Sequence, residues 1–162
     1  MITDLRIAPL HACSHLMVET AALMQTVWPA YYGPDGQGDA LADLGERSRT
    51  EGLPFGMVAA LADGAVAGTA ALSPTSFGAT APEKSWLTGL CVRPDLRGHG
   101  IASLLVLAME AHAAGQYPHL YATTREAGGL LRRLGWQELR EVPDVGGSWQ
   151  VLRKAVATKS PA

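Results

Sequence analysis

Residues 86–114 constrain the fold more than any other part of the chain. Trp86–Val92 is apolar on both alternating faces, with Trp86, Leu90 and Val92 on one and Leu87 and Cys91 on the other, which suits a strand covered from both sides. Arg93-Pro94-Asp95-Leu96-Arg97-Gly98-His99-Gly100 breaks that strand, and Ile101–Ala114 follows as a helix closed by Gly115. The first N–H groups of such a helix have no intrahelical partner, and its dipole favours an anion there. Glycines at 98 and 100 remove the Cβ atoms that would hold a phosphate away from those N–H groups. Ala102 and Ser103 keep the next turn narrow, and Arg97 can add a charge-assisted contact to a phosphate oxygen. The segment predicts a pyrophosphate site.

Two familiar phosphate motifs do not fit it. A P-loop needs a Lys-Ser/Thr pair after its glycines, and none is present. The dinucleotide fingerprint asks for Gly or Ala where Ser103 stands, and for an acid about 20 residues on, where the apolar strand at Leu120 lies. A dinucleotide-dependent oxidoreductase is therefore a distant alternative.

The rest of the chain reads as alternating elements around this turn. Asp4–Ala8 predicts a short strand. Leu16, Met17, Ala21, Met24, Val27 and Trp28 recur at helical spacing from Cys13 to Pro29. Tyr31–Gly38 reads as a loop, and Asp39–Arg49 as a second helix with Asp39 as N-cap. Phe55–Leu61 and Ala65–Leu72 flank Ala62-Asp63-Gly64, a hairpin signal. Ser73–Pro82 is a loop of small residues. After the long helix come a buried strand at His119–Thr123 and a short helix at Ala127–Leu134 ended by Gly135. Strands at Trp136–Val142 and Ser148–Lys154 then flank a Pro-Asp-Val-Gly-Gly turn. The order is β-α-α-β-β-β-α-β-α-β-β. With 162 residues and no linker or repeat, residues 1–154 are expected to form one domain and 155–162 a flexible tail.

Composition bounds the partners. Thirteen Lys+Arg against 15 Asp+Glu give a net charge of −2, which argues against wrapping DNA or RNA. Asp4 and Arg6 precede any apolar run, so the N-terminus does not read as a secretory signal. The longest apolar stretch, Ile101 to Met109 broken by Ser103, is far short of the ~20 residues that cross a bilayer. Cys13 and Cys91 make no disulfide framework, and His11, His15, His112 and His119 have no ligand spacing. The expectation is a cytoplasmic protein without a metal, a nucleic-acid partner or a membrane partner.

Arg97-Gly98-His99-Gly100-Ile101-Ala102 matches the pattern Arg/Gln-x-x-Gly-x-Gly/Ala and resembles the acetyl-coenzyme A signature of the GNAT N-acetyltransferase superfamily. Trp86-Leu87-(x)-Gly89-Leu90-(x)-Val92-(x)-Pro94 before it and Leu130-Leu131-Arg132-Arg133-Leu134-Gly135-Trp136 after it are similar to that family as well. The resemblance covers nearly the whole chain and is strongest over residues 86–136. It implies an α/β (α+β) fold: a mixed, mostly antiparallel twisted sheet of about seven strands, with about four helices on both faces.

The resemblance also implies chemistry. Leu90 and Val92 would offer main-chain contacts to the pantetheine arm, and the Leu90 or Cys91 N–H would polarise the thioester carbonyl. Gly98, His99, Gly100, Ile101 and Ala102, with Ser103, would hold the pyrophosphate beside Arg97. Thr124 and Leu131 would line a gap between the fourth and fifth strands. The implied reaction is direct attack of a neutral primary amine of a small molecule or peptide on the acetyl group, the amine first losing a proton. Where the family often carries a thiol-protonating Tyr this chain has Leu131, and where some members carry a catalytic Glu it has Trp86. No acid or base is assigned, with solvent, Cys91 or an acceptor-loop residue left as candidates; Glu83, ahead of the central strand, reads as a solvated loop acid, with contact to the acceptor as the alternative. That departure motivates a second reading, a non-catalytic module that binds acyl-coenzyme A or a protein.

For the acceptor, Trp28, Tyr31, Tyr32 and Asp35 predict an aromatic and acidic cradle for a cationic amine. Residues 1–85 hold nine acids and four bases, and residues 86–162 hold six acids and nine bases, so the expected acceptor half is acidic and the coenzyme half basic. Gly128-Gly129, costly in a helix, is read either as close approach to the coenzyme or as a flexible helix start. Members of the family often dimerise, and a homodimer is the implied assembly.

Overall fold

A computed structural model describes residue 2 and residues 4–156. Seven strands form one sheet: β1 (Arg6–Pro9), β2 (Phe55–Ala60), β3 (Val66–Ser73), β4 (Trp86–Val92), β5 (His119–Thr124), β6 (Gln137–Asp144) and β7 (Gly147–Ala155). Five helices accompany them: α1 (Met17–Val27), α2 (Pro29–Tyr32), α3 (Ala40–Glu46), α4 (Ile101–Ala113) and α5 (Gly128–Arg133). The spatial order is β1-β2-β3-β4-β5-β7-β6, antiparallel throughout except for β4 against β5. A parallel pair needs a long crossover, and α4 with its flanking turns supplies it.

The sheet is covered on both faces. Leu105, Met109, Leu131 and Trp136 pack with Leu72, Leu120 and Leu152 on the α4–α5 face. Met24 and Leu44 pack with Leu10, Val58 and Cys91 on the α1–α3 face. β3, central in this sandwich, is buried from Val66 to Leu72, as its lack of polar alternation requires. No helix among the described residues is long and apolar enough to cross a membrane.

Several expected boundaries move. The helix expected from Cys13 begins at Met17, because burying Leu10 completely turns the chain through two short 3-10 turns first. Tyr31 and Tyr32, read as loop, form the helical turn α2, where Pro29 pre-sets the backbone at its first position. Asp39 does cap α3, its Oδ1 accepting from the Ala42 N–H at 3.0 Å, but the helix stops at Glu46 rather than Arg49. The last hairpin turns on Val145-Gly146 alone, since pairing runs to Asp144 opposite Gly147. β7 extends through Ala155, which pairs with His119, and Val156 donates to the Pro118 carbonyl at 3.1 Å. The remainder of the expected tail, 157–162, lies outside the described residues.

Two irregularities shape the middle of the sheet. β4 carries one extra residue against β3, since Thr69 faces Cys91 while Ala71 faces Thr88, and Gly89 takes up the bulge in a left-handed conformation at φ +58°. On its other side β4 meets β5 only at Trp86 opposite Tyr121, and the two strands then part.

Candidate functional site

The parting of β4 and β5 opens a groove made of two adjoining clefts of about 650 and 580 Å³. Val27, Trp28, Leu90, Arg97, Glu126 and Ala127 line both, so the two halves are continuous. One half reaches between the strands past Thr88, Gly89, Thr124 and Leu131 to Trp149. The other runs along Cys91 and Val92 to the turn before α4.

That turn is built as an anion cradle. A 3-10 turn at Pro94–Leu96 leads to Gly98 and Gly100, both left-handed at φ +83°, and α4 starts at Ile101 without a side-chain cap. Non-glycine residues rarely adopt that conformation, and no atom stands within 4 Å of where a Cβ would sit at either position. The space in front of the first α4 N–H groups is therefore open, and successive N–H groups converge on it. Ile101, Ala102 and Ser103 line the same half. His99 does not line it: its Nδ1–H donates back to the Leu96 and Arg97 carbonyls at 3.0 and 3.1 Å, leaving the ring exposed outside the groove. Carbonyls only accept, which fixes the proton on Nδ1.

The basic residues nearby divide by partner. Arg93 is taken by Asp95, with contacts of 2.8 and 3.0 Å, and Arg132 by Glu138 and Gln150. Arg97 and Arg133 line the groove and make no ion pair among the described residues. Arg133 falls in the last turn of α5, where a cation also suits the helix dipole. Its neighbour has the same chemistry, and the difference lies in which face of α5 each occupies.

In the inter-strand half, Thr124 caps the entry to α5, its Oγ1 accepting from Glu126 and Ala127 N–H groups at 3.2 and 2.8 Å. The hydroxyl proton stays available to donate. Leu131 is 1% exposed and forms apolar floor. Cys91 is buried, which pushes its thiol up to about 12 and keeps it protonated at neutral pH. Trp86 is fully buried, with its indole N–H donating to the Glu83 carbonyl at 3.0 Å. Glu83 itself is held by Arg140 through contacts of 2.6 and 2.8 Å, and this pairing pulls its carboxyl down to about 2. None of these three has the exposure and pKa of an acid or base for the groove.

The acceptor cradle expected from sequence is only partly assembled. Trp28 lines both halves, but Tyr31, Tyr32 and Asp35 line neither. The helical turn α2 swings Tyr32 inward, where its hydroxyl donates to Asp43 Oδ2 at 2.6 Å; burial and that carboxylate push it up to about 12. Tyr31 packs edge-on against Tyr32, and Asp35 is exposed. In their place the far end of the groove is built by residues that sequence reasoning passed over. Arg125 lies 4.3 Å over the Trp149 ring and donates to Asp144, which also accepts from the Trp149 indole at 3.0 Å. Thr123 donates to the Phe77 carbonyl at 2.6 Å, and Phe77 stands edge-on to Trp149. No spacing signal links these residues, which come from the loop before β4, from β5 and the turn after it, and from the β6–β7 hairpin. Gly128 lies against side-chain ends of Gln150 and Arg132, a Cβ there standing 2.5 Å from Gln150 Oε1 and 3.1 Å from Arg132 Nη1. Among the described residues no group of His, Cys, Asp and Glu could hold a metal ion.

Residues 20–136 match the acetyltransferase (GNAT) family. An aminoglycoside 6′-N-acetyltransferase complexed with coenzyme A has the same fold at a TM-score of 0.75 and 15% identity, covering 96% of this chain and 99% of its own. An N-acetyltransferase from Staphylococcus aureus Mu50 gives 0.75 and 18%, with 94% and 99% covered. A GCN5-related N-acetyltransferase from Kribbella flavida gives 0.72 and 20%, with 94% and 98% covered. No curated protein matches the sequence.

Proposed function

The chain belongs to the GNAT acetyltransferase family, an acyltransferase using acetyl-coenzyme A, and from that premise we propose that it acetylates a primary amine of a small molecule or peptide by direct transfer. The observation that supports this reading is the continuity of the glycine cradle with the gap between β4 and β5, through Leu90, Arg97 and Ala127. A donor with a pyrophosphate at one end and a reactive group at the other fits a groove of that form.

Acetyl-coenzyme A brings a thioester already activated toward amines. The chain's part is to hold and polarise it. The N–H groups of Ile101, Ala102 and Ser103, with Arg97, would neutralise the pyrophosphate. The edge of β4 that β5 leaves unpaired would bind the amide-bearing arm as an added strand does. A Leu90 or Cys91 N–H would steady the negative charge that builds on the acetyl oxygen. The acceptor ammonium must lose its proton before it attacks, and Glu126 is the carboxylate lining the groove that can take it, directly or through water.

Two measurements test this. Acetyl-coenzyme A at ~100-fold its dissociation constant should stabilise the fold by about 2.7 kcal/mol, and Gly100→Trp should abolish the effect. Thiol release should then appear with at least one member of a panel of amines, amino acids, aminoglycosides and peptide N-termini. An unchanged melt at saturating donor would sink the proposal. Binding without release on any acceptor would instead favour a binding module.

A further inference from the structure

Arg47 ends α3 beneath the sheet, and its guanidinium lacks a partner. Among the described residues it makes no ion pair, and its Nη1 is a buried nitrogen without a hydrogen bond. Arg47 as a whole is half-buried, but a buried donor left unpaired costs free energy unless something else uses it. The ordinary partner would be Asp43, one helical turn earlier on α3, because residues four apart face each other. Asp43 is engaged elsewhere, accepting from the Tyr32 hydroxyl at 2.6 Å. Asp43 and Arg47 form no ion pair.

The guanidinium lines neither half of the groove but stands directly behind a residue that lines one. A Cβ at Gly89 would stand 3.0 Å from Arg47 Nη1 and 3.5 Å from Cζ and Nη2, and Gly89 lines the inter-strand half of the groove. Gly89 is the β4 bulge, at φ +58°, beside the Leu90 and Cys91 N–H groups assigned to the acetyl oxygen. With no side chain at that position, the guanidinium packs directly against the Gly89 backbone. Of the guanidinium groups that line this half, Arg125 is engaged by Asp144 and Trp149, and Arg97 is assigned above to the pyrophosphate.

We propose that Arg47 anchors an anionic group of the acceptor across the Gly89 bulge, so that the acceptor is an amine that also carries a carboxylate, as an α-amino acid does. The proposal rests on the transferase reading above. It replaces the purely cationic acceptor that Tyr31, Tyr32 and Asp35 suggested. Arg47 is then a specificity-determining residue: it binds one end of the acceptor while the amine at the other end meets the acetyl group.

The experiment follows thiol release from acetyl-coenzyme A with matched acceptors: α-amino acids, their methyl esters and their decarboxylated amines. The wild type should favour the free amino acids by about 10-fold or more in kcat/KM. Arg47→Gln should raise KM for the amino acids about 10- to 100-fold while leaving KM for the esters within a few-fold, and Arg47→Lys should recover part of the loss. Equal or better use of esters and decarboxylated amines by the wild type overturns the proposal, and that comparison stands even where Arg47→Gln does not fold. Equal losses for both acceptor types in Arg47→Gln, with coenzyme binding by calorimetry intact, overturn it as well. Release from no acceptor at all would overturn the transferase reading underneath.

Discussion

Trp86 of β4 and Tyr121 of β5 are register partners where these two parallel strands meet, their ring centroids 5.2 Å apart. From that joint the strands diverge, and the groove occupies the space between them. Trp86 itself is fully buried.

Trp86 is therefore expected to hold the fold and to take no part in proton transfer. Trp86→Ala should lose about 3–5 kcal/mol in denaturant unfolding. Trp86→Phe, which keeps the ring but not the indole N–H, should retain kcat within about two-fold wherever it remains folded. A large kcat loss in a stably folded Trp86→Phe would assign the indole a direct role.

Glu83 and Arg140 tie the loop before β4 to β6. The Arg140 hydrogen bonds hold the Glu83 carboxyl at about 2, below its usual 4.5. A depressed carboxylate pKa gives stability that is complete above about 4.5 and disappears as pH falls through about 2. Glu83→Gln should cost about 1.5–3 kcal/mol at pH 7, and the gap from wild type should close on acidification across that window. Urea unfolding at pH 7, 4 and 2.5 measures it; a gap independent of pH would contradict the pairing.

Cys91 is expected to stay a neutral thiol, because burial pushes it up to about 12. Iodoacetamide should label it slowly in the native state and quickly after unfolding. Cys91→Ala should keep the wild-type pH–rate profile with kcat within about three-fold. Loss of one limb of that profile would instead identify the thiol as the proton carrier.

Gly98 and Gly100 owe their identity to backbone conformation and not to crowding, since no atom waits where a Cβ would stand. Gly100→Ala should therefore cost only about 1–2 kcal/mol of stability. It should weaken coenzyme A by about 10-fold in calorimetry, because the new methyl group narrows the approach to the α4 N–H groups. Unchanged affinity would remove those groups from the binding site.

The glycine turn, the Asp39 cap and the hairpin after β2 were legible in sequence, because each is decided by residues within a few positions of one another. Contiguous β4 and α4 patterns showed in the same way which residues line the half of the groove at the glycine turn. The acceptor half was not legible. Tyr32 looked like a ligand-facing aromatic until α2 turned it onto Asp43, and Arg47 carried no sequence signal, since only the fold leaves its Nη1 buried without a partner. Glu83 looked like a solvated loop acid, yet its partner lies 57 residues away on another strand. Local sequence determined where backbone N–H groups point, since turn sterics and helix ends are short-range. Which charges are satisfied and which are left to act depended on elements brought together only by the sheet, because burying a charge is costly unless its partner arrives from across the fold.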